Sequence, residues 1–129
     1  MTFIEFFKQQ FIEEGATTRN MLSRVPDDQF DYKPHEKSMV MKSLVTHIAD
    51  LPGWIHMTFT TDELDFDQPY HQPDVTNNAE LLAYFEKRYN DGLSTLVPEN
   101  EVFLPKPWTL RKGDTIYSTD PKIEVIKCR

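Results

Sequence analysis

The segment SLVTHIADLPGW, residues 43–54, holds a histidine among apolar residues at helical spacing, with a proline five positions later. Projected at about 100° per residue, Val40, Leu44, Leu51 and Trp54 share one wide stripe. His47 falls near its centre, Ile48 and Ile55 on one flank and His56 on the opposite side. The pattern places His47 on the buried face of a helix capped by Ser38 and running to about Thr60. Pro52 lacks the N–H that would bond the Ile48 carbonyl, and its ring crowds that turn, so a kink is expected just beyond His47.

Working outward, Phe3, Phe7, Phe11, Thr18, Leu22 and Val25 recur at helical steps, with Phe6 widening the face and Gly15 as the weak point. They predict a first helix over residues 2–24. Residues 61–75, TDELDFDQPYHQPDV, are acidic with two prolines and read as a loop or lid. Asn77 and Glu80 resemble a capping box ahead of a third helix over about 78–97, with Leu82, Phe85, Tyr89, Leu93 and Leu96 as its stripe and Pro98 as its stop. Short β-prone runs flank Lys112-Gly113-Asp114, which predicts a small hairpin near 108–117. Asp120-Pro121 reads as an N-cap with proline at the first position of a fourth helix. That helix is a stub, PKIEVIKCR, whose Ile123 and Ile126 can bury only the first turns of the groove. The expectation is a mainly α protein, one domain over 1–129: an up-down bundle of three long helices with a short fourth-helix stub. Either another chain fills the remaining groove or the bundle is poorly stable alone.

Composition narrows the function classes. With 39% hydrophobic and 27% charged residues the chain has an ordinary globular balance. Its 14 basic and 21 acidic residues give a net charge of −7 with no Lys/Arg cluster, which argues against a nucleic-acid partner. Charges at Glu5, Lys8, Glu13 and Glu14 interrupt any signal-peptide core, and no 18-residue apolar run marks a membrane span, so the chain reads as cytoplasmic. The single cysteine, Cys128, has no internal disulfide partner and reads as incidental.

Taken by itself, a lone histidine on an apolar face is a hydrogen-bonded core residue more often than a ligand. A metal site needs about three convergent donors, and no second histidine pair at i, i+4 is present. His56, His71 and His35 read as solvated. Asp50, one turn after His47, reads either as a boundary carboxylate or as a group that orients the imidazole. The carboxylates of DELDFD lack calcium-loop spacing. No G-x-S-x-G, phosphate-binding glycine loop or Cys/His pair supports other chemistry. Trp54 and Trp108 suit aromatic core packing.

The order of features nevertheless resembles the DinB-like family of four-helix-bundle metalloenzymes. The matching pieces are Thr18, Leu22 and Val25-Pro26, the link Phe30-Asp31-Tyr32-Lys33-Pro34, then Ser38, Leu44, His47, Ala49-Asp50 and Trp54, and the later WTLRKGDTIYSTDP. The resemblance implies a divalent metal, zinc or nickel, held by one histidine of the second helix and an H-x-x-x-H on the fourth. It also implies transfer of a low-molecular-weight thiol to a small-molecule electrophile. His47 matches the first ligand, and the other two have no counterpart before Arg129. The expectation is a DinB-like metal-binding protein related to thiol-dependent transferases, with an incomplete site that ends within its last helix. A homodimer bringing two His47 side chains near one axis would rebuild part of the site and cover the groove. The competing reading is a non-catalytic helical binding or oligomerisation module with His47 as a core residue.

Overall fold

The computed structural model describes residues 2–33, 35, 40–67 and 73–127. Helix α1 (Phe3–Leu22) starts at a capping box: Thr2 Oγ1 accepts from the Glu5 N–H at 3.2 Å, and Glu5 Oε2 accepts from the Thr2 N–H at 3.2 Å. Its core side carries Ile4, Phe7, Phe11, Gly15 and Leu22, all buried. Ile4 replaces the expected Phe6, which stands 49% exposed. The stripe thus keeps to steps of three, four and four. Gly15 is a packing requirement rather than a defect, because a Cβ there would strike the Tyr89 ring.

The single second helix expected from the sequence is two helices, α2 (Met41–Asp50) and α3 (Gly53–Thr60). Leu51 and Pro52 both keep right-handed helical dihedrals at the junction. The Leu51 N–H drops to an i−3 bond with the Ile48 carbonyl, at 3.3 Å. Pro52 therefore divides one rod without turning it back, as its missing donor requires. The expected Ser38 cap lies outside the described residues.

The buried side of this rod is also corrected. Val45, Thr46, Ala49, Asp50, Gly53, Ile55, Thr58 and Phe59 are inside, whereas Leu44 is 43% exposed and His47 is exposed. The inward face is the one carrying Ala49 and Gly53, where small side chains let α4 (Asn78–Thr95) come close. A Cβ on Gly92 of α4 would meet the Pro52 carbonyl oxygen and the Phe11 ring.

Helix α4 packs against α1, α2 and α3. Asn77 caps it, accepting from the Glu80 N–H at 2.9 Å, as the sequence indicated. Leu81, Phe85, Tyr89, Gly92 and Thr95 are buried, with Leu82 and Leu93 partly so. Asn78 clasps the end of α1: its Nδ2 donates to the Leu22 and Val25 carbonyls at 2.8 and 2.9 Å, while its N–H donates to Asp27 Oδ1 at 2.8 Å. The end of α1 and the segment just after it are thereby tied to the start of α4.

A small three-stranded sheet completes the fold. The expected hairpin forms from β2 (Pro107–Lys112) and β3 (Thr115–Pro121), with Gly113 at φ +55° in its turn. It runs further than expected: Asp120 and Pro121 end β3 instead of starting a helix, and the last helix, α5, begins at Lys122 (Lys122–Lys127). The acidic segment expected to be wholly loop supplies β1 (Glu63–Asp65), parallel to β2. Arg111 holds it there with Glu63 at 2.8 and 2.9 Å and Asp65 at 3.1 Å. Trp108 of β2 is buried and donates its Nε1–H to Thr61 at 3.2 Å, whereas every residue of β3 is exposed. The architecture is mainly helical. Among the described residues no helix is long and apolar enough to cross a membrane.

Candidate functional site

The stretch Ala49-Asp50-Leu51-Pro52-Gly53-Trp54 builds a closed polar knot. Asp50 is completely buried, and its carboxylate accepts from Tyr84 Oη at 2.6 Å, Arg88 Nε at 2.8 Å and Trp54 Nε1 at 3.1 Å. Each neighbour has a reason to be there. Trp54 stands four residues after Asp50, and Tyr84 and Arg88 stand four apart on α4, so each pair shares a helix face. Gly53 leaves room for the guanidinium, which a Cβ would strike. Arg88 also binds Asp91 through Nη1 at 3.1 Å. A buried carboxylate is tolerable only with such compensation. Among the described residues no buried side-chain polar atom lacks a partner. The plain reading of Asp50 as a boundary carboxylate is therefore overturned. Tyr84 and Arg88, whose i, i+4 spacing was the only sequence signal, are its missing partners.

His47 occupies the other side of α2, exposed, and its imidazole makes no hydrogen bond to a described residue. Asp50 points away into its own network, so it does not orient this imidazole. Beside the exposed face runs a cleft of about 80 Å³ between α1 and the α2–α3 junction. Glu14, Gly15 and Thr18 form one wall, Ile48, Leu51 and Pro52 the other, and Phe11 and Tyr89 close it. Tyr89 is fixed by stacking on Phe11 with ring centroids 5.1 Å apart. Arg19 braces it from above with its guanidinium 5.1 Å from the ring centre. An ion pair with Glu86 holds Arg19 and raises its pKa.

Among the described residues no other histidine joins His47 in a cluster of metal-binding side chains. His35 is exposed, His56 is half-buried on α3, and His71 and Cys128 lie outside the described residues. Lys122, unremarkable in the sequence, is buried: its ammonium donates to the Phe59 carbonyl at 3.2 Å, and desolvation lowers its pKa. Asp62, 3.9 Å away, opposes that shift. On the sheet, hydrogen bonding to Arg111 lowers the pKa of Glu63.

Among the described residues no three His, Cys, Asp or Glu side chains converge on a point where a metal would sit. Among the described residues, the donors around His47 do not make up the three-donor site that the DinB-like resemblance implies. Comparison with known proteins found no matching family model, no matching curated protein and no matching solved structure.

Proposed function

We propose that this chain is a helical docking module whose exposed α2 face receives a helix from another chain. One observation carries the reading: Leu44 of α2 stands exposed at the rim of the cleft that Ile48 and Leu51 form with α1. Val45 and Ala49 pack inward, while Leu44 stands 43% exposed in line with the half-buried Ile48 and Leu51. An exposed leucine beside an open cleft between two helices leaves a place for one more helix, which would extend the bundle. Substituting Leu44 tests this directly. Leu44→Glu should abolish partner docking while leaving the far-ultraviolet circular dichroism and melting temperature of the chain nearly unchanged. A fall in stability like that of a core substitution would count against the proposal.

A second reading keeps the DinB-like resemblance: His47 is an inherited ligand position, and a divalent metal is held only when a second chain adds donors. The accessibility of the His47 imidazole favours it. Metal stoichiometry after zinc or nickel loading, with His47→Ala alongside, separates the two. About one metal per chain or per dimer, lost in the variant, would support the metal reading. No retained metal would leave the docking module alone.

A further inference from the structure

We propose that the outer edge of β3 takes a strand from another protein: an extended segment bearing lysine or arginine, laid along residues 115–119 with one cationic side chain against the Phe66 and Tyr117 rings. The inference goes beyond the docking reading of α2 and stands without it. The sheet order is β1-β2-β3, so β3 has a strand on one side only. Among the described residues its backbone makes no hydrogen bond beyond the ladder with β2. In an antiparallel edge strand alternate N–H and C=O groups turn outward, a template for one more strand. Edges are commonly closed to such pairing by lysine, proline, a bulge or brevity. Strand β3 has a bulge, but it is seven residues long, wholly exposed, without lysine, and meets proline only at Pro121. Its stretch TIYST is uncharged and rich in β-forming residues.

The bulge has a use of its own. Ser118 lies opposite Leu110 and Ile116 opposite Arg111, so Tyr117 is the residue the ladder skips. Its ring stands 6.4 Å from that of Phe66, just beyond β1, at an interplanar angle of 56°. Both residues are more than half exposed, and two tilted aromatic faces open to water are a seat for a cation. Charge selects the occupant. Residues 62–67 and 107–121 carry six carboxylates against Arg111 and Lys112, which places −4 of the chain's net −7 on the sheet. Arg111 is taken up by Glu63 and Asp65. Asp67 lies against Gly113, one residue from Asp114, so two exposed carboxylates stand at the turn end of the hairpin. A second copy would bring the same −4 to the edge and be repelled, whereas a basic segment is drawn in.

The experiment is fluorescence anisotropy of a labelled octapeptide of alternating lysine and valine, titrated with the full chain. Two companion peptides serve as controls: one with glutamate in place of lysine, and one N-methylated on every backbone nitrogen, which keeps its charge but has no backbone donor. The lysine peptide should bind, with an affinity that falls as salt rises. Loss of the backbone donors should weaken binding by about tenfold or more. Tyr117→Ala should weaken it by about two- to fivefold, and Asp67→Asn combined with Asp114→Asn should weaken it more at low salt than at high. Equal binding of the methylated peptide would overturn strand addition, and equal binding of the glutamate peptide would overturn the basic partner. Binding indifferent to both Tyr117→Ala and the paired aspartate change would overturn the β3 site. No binding of the lysine peptide overturns the proposal outright. So does a dimer of the chain, seen by sedimentation, that Tyr117→Ala breaks, because the occupant would then be a second copy.

Discussion

Two sides of one helix, ten residues long, are held to different standards. On the inner side of α2, Asp50 binds three donors, Ala49 is fully buried, and Gly53, just beyond the helix, lets a guanidinium pass. On the outer side Leu44 and His47 face water. The inner side tolerates almost no change, because each group there is either desolvated or in contact with backbone. On the docking proposal, the outer side is constrained only by what would cover it. If docking is what the outer side does, stability and binding separate along a single helix, and substitutions can ask whether they do.

The largest effect is expected at Asp50. Asp50→Ala leaves the Arg88 guanidinium partly buried beside an empty site, at a cost of about 3–5 kcal/mol. Urea denaturation measures it, and a loss under about 1 kcal/mol would erase the contrast between the faces. Gly92→Ala should cost about 1–3 kcal/mol, since its Cβ meets the Pro52 carbonyl and neither backbone can yield without parting α3 from α4. Tyr84→Phe deletes one donor to a buried carboxylate, for a loss of about 1–2 kcal/mol in the same assay. His47→Ala should fall within about 0.5 kcal/mol of wild type while removing any metal the assembled chain retains.

The smallest effect is a pH dependence at Lys122. Burial lowers its folded pKa below the ordinary value of 10.5, so between the two values the unfolded chain binds more protons than the folded one. Stability relative to a Lys122→Met reference should therefore rise with pH across that window and level off above 10.5. A relative fall would mean that charge pairing with Asp62 outweighs desolvation.

The same contrast explains what the sequence could reveal. Elements bounded by strong local chemistry were legible: α1 from its phenylalanine stripe, α4 from Asn77, the hairpin from Gly113 and the break from Pro52. The inner face of α2 was not. Periodicity finds apolar stripes, and this helix has two; which one turns inward is decided by Gly92 and Arg88, distant in sequence and invisible to local spacing. Strand β1 was hidden for a similar reason, since an acidic tripeptide becomes a strand only when Arg111 is placed to neutralise it. Asp120-Pro121 has the chemistry of a helix start, yet pairing with Trp108 and Pro107 claims both residues for β3.

The Asn78 clasp bears on how much this chain can vary. It joins the end of α1 to the start of α4, so everything between is an excursion whose two ends are pinned together. Closing such a loop costs free energy that grows only with the logarithm of its length, about 0.6 kcal/mol for each doubling. Added residues in the connection after β1 would hardly be felt by the α1–α4 pair. That connection is where the molecule can change length cheaply while α2 keeps its place.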